Sequence, residues 1–222
     1  MGQSLILRLK GVQEIIDLSH RDLLRKRMSG VKLPGWIPYD NQKPDYSYLI
    51  CDIIQRGLDN SISLELGCGD GPWALLASAA GLRSFGIDAD SGLVSRARIN
   101  YFSALLGGYI KGNCRFAVGN IHHSYNEEQY LIDAERSKVM RTEFLDNPYE
   151  ELGINIGCAD IINGYLWPEH MSSLLSLLNE HARSNALFIL PFYEHRKHHQ
   201  LLDLKPVGIA PRGTALYRRA RV

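Results

Sequence analysis

Apolar positions recur along the chain in two rhythms: short continuous or alternating runs, and longer stretches with a helical period of about 3.6 residues. The short runs predict strands over Ser61-Ile62-Ser63-Leu64-Glu65-Leu66, Arg83–Asp88, Cys114–Val118, Ala159–Leu166 and Ala186–Pro191. The last is apolar almost throughout, as a strand covered on both faces requires. Between them the longer period predicts helices over Pro72–Ala80, Ser91 to about Leu106, and Pro168 to about Ser184. In the second, Leu93, Val94, Ala97, Ile99 and Phe102 are the expected inward positions, Ser91 the N-cap and Gly107-Gly108 the stop. In the third, Met171, Leu174, Leu175, Leu178 and His181 are expected inside, with Pro168 at the first helical position.

Two further helices precede the first strand. One is expected from Val12 to Met28, with Ile15, Ile16, Leu23, Leu24 and Met28 inward and Gly30 as its stop. The other runs from Tyr46 to Arg56, on Tyr48, Leu49, Cys51, Ile53 and Ile54. After a short helix over Glu194–Leu202, Lys205–Ile209 and Ala215–Arg219 flank a Pro211-Arg212-Gly213 turn, a spacing that fits an antiparallel hairpin. Alternating strands and helices closed by a hairpin predict an α/β three-layer sandwich with a mostly parallel seven-stranded sheet. Residues 1–45 read as a helical extension with a proline-punctuated connector, and residues 46–222 as one domain. Within it, about 121–157 forms a polar, acid-rich insertion, weakly helical around 127–141, expected to lie over the ligand site.

Composition narrows the classes. A net charge of +1 gives no global electrostatic signature for nucleic acid or an anionic membrane. Cys51, Cys68, Cys114 and Cys158 are far apart, which argues against a zinc ribbon or a secreted disulfide framework. No apolar run approaches the roughly 18 residues of a membrane span, so a cytoplasmic protein without a membrane partner is expected. Arg21, Arg25, Lys26 and Arg27 on the first helix read either as a solvated face or as a contact for an anionic partner such as RNA.

The densest chemistry lies at Glu65-Leu66-Gly67-Cys68-Gly69-Asp70-Gly71, where a strand passes through alternate glycines into a helix. Glycines allow close backbone approach to a ligand, and the following helix adds unpaired N–H groups and a positive dipole end. Asp88 lies 21 residues beyond Gly67, near the spacing of an acid that bonds ribose hydroxyls, and indicates an adenosine-containing ligand. A dinucleotide fingerprint, G-x-G-x-x-G/A, fails at its last position, which is Pro72. Glu65 ahead of the turn would repel a pyrophosphate, whereas it suits a cationic ligand such as S-adenosylmethionine.

These motifs resemble those of the class I S-adenosylmethionine-dependent methyltransferases. Glu65 to Gly71 resembles the first motif, Phe85-Gly86-Ile87-Asp88-Ala89-Asp90 the second, and Val118-Gly119-Asn120-Ile121 the third. The resemblance implies that Gly67, Cys68 and Gly69 contact the methionine part through backbone atoms, with Gly71 also in the cofactor-binding turn, and that Glu65 lies near the methionine amino group. It places Asp88 on the ribose hydroxyls, and Ala89, Asn120 and Ile121 beside the adenine. Asn120 stands where the family often has Asp, and an amide carbonyl accepts the same bond. Asp88 and Asn120 also fit plain turn chemistry. The connector Trp36–Tyr39 and the glycine motif are most similar to those of small protein-lysine methyltransferases.

On the acceptor side, the Asn/Asp-Pro-Pro-aromatic sequence of base and glutamine methylating relatives is replaced by Asn163-Gly164-Tyr165-Leu166-Trp167-Pro168. Tyr165 and Trp167 stand at the strand end where they would wall a pocket, and aromatic faces suit a methylammonium product. His122 is a candidate base; His170 and the Glu194–His199 cluster read as surface groups, and no metal site is expected. The expectation is methyl transfer to a nucleophilic N or O of an unidentified acceptor (protein, small molecule or RNA), with a protein side chain preferred. The alternative is a non-catalytic S-adenosylmethionine-binding partner that presents RNA or protein. Oligomeric state is not legible.

Overall fold

The computed structural model describes residues 3–31, 46–123, 147–164, 171–191, 204–209 and 215–219. Helix α1 spans Gln3–Met28 and α2 Tyr46–Gln55; β1 (Ile62–Leu66), α3 (Pro72–Ala80), β2 (Arg83–Asp88), α4 (Ser91–Leu106) and β3 (Cys114–Val118) follow. Then come α5 (Pro148–Leu152), a 3-10 turn (Ile156–Cys158), β4 (Ile161–Gly164), α6 (Met171–His181), β5 (Leu187–Ile189), β6 (Leu204–Ile209) and β7 (Ala215–Arg219).

The seven strands form one sheet in the order β3-β2-β1-β4-β5-β7-β6. Pairings from β3 to β5 are parallel, and β7 lies antiparallel between β5 and β6. The expected sandwich with a terminal antiparallel pair is therefore present. The chain leaves β1 toward β2 and β3, then returns to β4 on the other side, so β1 and β4 flank a switch point where parallel sheets open a crevice.

Strand alternation divides β1 between the two faces. Leu64 and Leu66 join the apolar cluster with Met171, Leu174 and Leu178 of α6 and Tyr149 and Leu152 of α5. Ser63 and Glu65 face α3: the buried Trp73 indole donates to Ser63 Oγ at 2.8 Å. The layer on that side is built by α1, α2, α3 and α4.

α1 begins nine residues before the expected Val12. Its buried positions are Leu5, Leu9, Val12, Ile16, Ser19 and Leu23, alternately four and three apart, with His20 beside them. Gly11 disguises this stripe in sequence; here it permits close approach, since a Cβ would lie 2.4 Å from the Tyr109 ring. Leu24 and Met28, expected inside, fall off the stripe and are exposed.

In α4 the expected Ile99 and Phe102 are exposed, and the inward face is Leu93, Val94, Ala97, Asn100 and Ala104. Leu93 of that face packs against Leu23 of α1, and Val94 and Ala97 join the main cluster. The cap is Asp90 and not Ser91: its Oδ1 accepts from Gly92 N at 2.9 Å and Leu93 N at 3.0 Å. In α2, Tyr48 is exposed while Tyr46 and Ile50 are buried, and His181 of α6 is half-buried.

The polar stretch after β3 ends inside the fold. Tyr149 and Leu152 of α5 are buried, and Tyr149 donates its hydroxyl to the Ile121 carbonyl at 2.7 Å. The Arg115 guanidinium donates to the carbonyls of Glu151 at 2.6 Å and Leu152 at 3.0 Å. The helices expected around 127–141 and over Glu194–Leu202 lie outside the described residues. No helix among the described residues is long and apolar enough to cross a membrane.

Candidate functional site

The carboxyl ends of β1, β2, β3 and β4 bring the sequence-predicted donor-site residues to one edge of the sheet. Gly67, Gly69 and Gly71 all take left-handed φ, at 75°, 52° and 86°. The turn is fastened to β2 by two bonds to one carbonyl: Gly67 N and Cys68 N both donate to Ile87 O at 2.9 Å. Gly71 N then donates to Cys68 O at 2.8 Å, directly before α3 starts at Pro72. A Cβ on Gly71 would lie 2.9 Å from two Phe116 ring carbons, whereas one on Gly69 would meet nothing within 4 Å. The turn is thus packed beneath Gly71 and open above Gly69, the shape of a cradle.

Glu65 is buried, and its carboxylate caps α3: Oε2 accepts from Ala74 N at 3.0 Å and Oε1 from Trp73 N at 3.3 Å. Asn163 Nδ2 of the adjacent β4 donates to Oε1 at 3.2 Å and to the Tyr46 hydroxyl at 3.3 Å. Burial pushes the Glu65 carboxyl well above its usual range, opposed by those N–H groups and reinforced by the nearby Asp70 charge.

Asp88 is likewise engaged by backbone. Its Oδ2 accepts from Gly69 N at 2.8 Å and its Oδ1 from Asp90 N at 2.9 Å, which ties the end of β2 to the glycine turn. Burial raises its pKa to about 6, against the pull of these hydrogen bonds. Burial also pushes the Cys68 thiol up, so that it stays protonated at neutral pH. Ala89 and Asn120 are half-buried, as are Gly67 and Gly69, and form the accessible edge.

Asn120 Oδ1 accepts from His122 N at 3.0 Å, an Asx turn that fixes the loop after β3, and Ile121 is buried beside it. His122 is buried too, with Nε2 3.3 Å from Ser173 Oγ of α6. Tyr165, Trp167 and His170 lie outside the described residues.

Two members of the site were missed in sequence. Asn163 is fully buried in an otherwise apolar strand and pairs in register with Glu65. His20 lies on the buried face of α1, with Nε2 3.1 Å from Asp70 Oδ1. Each carried the same signal, a polar residue at an apolar period position.

The donor set fits a cationic adenosine-containing ligand better than a phosphorylated one. Glu65, Asp70 and Asp88 crowd three buried carboxylates around the turn. A pyrophosphate there would meet the Asp88 carboxylate, which is ionised at neutral pH with a pKa of about 6, whereas an ammonium or sulfonium would be stabilised by it.

No protein-family model matches the chain, and a sequence comparison with curated proteins gives no match. In structure the chain is similar to the magnesium protoporphyrin IX methyltransferase of Synechocystis PCC 6803 with bound S-adenosylmethionine. The TM-score is 0.50 at 12% identity, over 80% of this chain and 78% of that one. With S-adenosylhomocysteine bound to the same enzyme, the TM-score is 0.50 at 12% identity, over 79% and 81%. An RNA methyltransferase from Salinibacter ruber aligns over 80% of this chain and 91% of that one, at 17% identity and a TM-score of 0.49. The protoporphyrin methyltransferase alignment establishes a shared fold.

Proposed function

We propose that this chain is an S-adenosylmethionine-dependent methyltransferase that methylates a nucleophilic nitrogen or oxygen on a protein side chain. The observation that carries the cofactor reading is the glycine turn ringed by buried Glu65, Asp70 and Asp88 at the switch point of a methyltransferase fold. In this reading Gly67, Cys68 and Gly69 receive the methionine part through backbone atoms, and the Glu65 carboxyl oxygens, held against the start of α3, lie near its amino group as acceptors. Asp88 accepts from the ribose hydroxyls while Ala89, Asn120 and Ile121 line the adenine.

When bound, the cofactor would supply an activated methyl group on a sulfonium, transferable to the acceptor lone pair with a neutral thioether as the leaving group. The acceptor's proton would pass to water or to a basic side chain. Holding donor and acceptor in line supplies much of the acceleration, so the chain's task is chiefly positioning. His122 is the candidate proton acceptor; its bond to Ser173 Oγ holds the imidazole between the loop after β3 and α6. Tyr165 and Trp167 are proposed as walls of the acceptor pocket, and preference for a protein acceptor rests on the sequence resemblance of Trp36–Tyr39 and the glycine motif.

Arg25 and Arg27, exposed at the end of α1, favour a second reading, a cofactor-binding partner that presents RNA without turnover. Incubating cell extract with the purified protein and methyl-labelled S-adenosylmethionine separates these. Label in protein supports the proposal; label confined to RNA or small molecules refutes the acceptor class. Cofactor binding without labelling, together with salt-sensitive RNA binding, supports the second reading.

A further inference from the structure

Asp70 lies in the glycine turn, between Gly69 and Gly71. Its side chain is buried, and Oδ2 has no hydrogen-bond partner among the described residues. The other oxygen is held from α1, through His20 Nε2 at 3.1 Å. In this pair the imidazole N–H donates and the carboxyl oxygen accepts. The backbone of the same residue is held from a third element: Asn100 Nδ2 of α4 donates to Asp70 O at 3.1 Å.

α1 and α4 are themselves locked together close by. Asp22 pairs with Arg96, and Gly11 lies against Tyr109, so α1 runs antiparallel to α4 and passes His20 over the turn. On its far side α1 is anchored by the Arg8 guanidinium, which donates to the Ala79 carbonyl at the end of α3 at 2.8 Å. His20 therefore sits within a braced helix and not on a free one.

From this geometry we infer that His20 is a positioning residue of the glycine turn, and that the N-terminal helix is thereby part of the cofactor site and not an appendage to it. The turn between Gly69 and Gly71 has two left-handed glycines and little preference of its own. The bond from His20 fixes Asp70 between them, and so fixes where the Gly67–Gly69 backbone meets a ligand. With that bond removed, both Asp70 side-chain oxygens would be buried and unpaired, and the turn would rearrange to hydrate them. The inference rests on the S-adenosylmethionine reading above for its ligand.

Three variants with two readouts test it. Titration calorimetry measures S-adenosylmethionine binding to wild type, His20→Leu, His20→Gln and Ile16→Ala; the last removes core packing on the same helix and replaces neither partner of the His20–Asp70 bond. His20→Leu is expected to raise Kd about tenfold or more. His20→Gln, whose amide reaches the same carboxylate, should recover most of that loss, and Ile16→Ala should leave Kd within about twofold of wild type. Without ligand, amide hydrogen exchange at Gly71 should quicken in His20→Leu and not in Ile16→Ala, because the Gly71 N to Cys68 O bond closes the turn. Equal effects from His20→Leu and Ile16→Ala would overturn the inference, as would an unchanged Kd and exchange rate in His20→Leu. Wild-type protein that fails to bind S-adenosylmethionine would overturn the cofactor reading as well; binding that ignores His20 overturns only the inference.

Discussion

Replacing Asp88 with Asn removes one buried charge whose environment is fully specified. The carboxylate accepts Gly69 N and Asp90 N on its two oxygens, and burial raises its pKa from 3.8 to about 6. Because the folded value is the higher, the folded protein binds the proton more tightly. Stability from this group is fully present below pH 3.8 and is lost as pH rises through about 6. The shift corresponds to about 3 kcal/mol, of which about 2 kcal/mol falls between pH 4.5 and pH 8. Asn cannot titrate, so the difference in unfolding free energy between Asp88→Asn and wild type should grow by that amount over this interval, in favour of the variant. Its absolute stability carries a separate, pH-independent loss, because the Asn amide turns a donor toward one of the two N–H groups. Urea unfolding of both ligand-free proteins at a series of pH values measures the difference. S-adenosylmethionine affinity should behave oppositely: it should fall about tenfold in wild type from pH 7 to pH 5, as the ribose acceptor is protonated, and stay flat in the variant. Parallel stability curves for the two proteins would refute the reasoning.

Other substitutions separate cradle from core. Gly71→Ala combines φ of +86° with a methyl 2.9 Å from the Phe116 ring and should cost about 2–4 kcal/mol in urea unfolding. Gly69→Ala meets nothing within 4 Å and should cost only about 1 kcal/mol, yet raise the Kd for S-adenosylmethionine about tenfold, measured by calorimetry. Leu9→Ala should destabilise by about 2–4 kcal/mol, since Leu9 is buried, while Leu24→Ala should stay within about 0.5 kcal/mol, as thermal unfolding of the pair would show.

The parallel part of the sheet was legible because glycines and prolines punctuate it. β2, β3, α3 and α4 have the bounds their apolar runs and stop residues predict. Packing direction was less legible. Ile99 and Phe102 outrank Ala97 and Asn100 in hydrophobicity, yet the buried pair is Ala97 and Asn100, the latter donating to the Asp70 carbonyl. Gly11 likewise masked two turns of α1, because its meaning depends on Tyr109, distant in sequence. The same division holds at the site. Glu65 and Asp88 lie beside the glycines in strand-end patterns that a linear reading detects, whereas Asn163 and His20 enter through pairing with β1 and packing of α1. Local chemistry can be read from neighbours in sequence; a buried polar partner is assigned only once the fold has chosen it.

The central claim is that the glycine turn takes a sulfonium donor and not a dinucleotide. Titration calorimetry of the purified chain with S-adenosylmethionine, S-adenosylhomocysteine and NADH tests it most directly. Saturable binding of the first two, with little or no heat from NADH, is the predicted result. Preferential binding of NADH would contradict it.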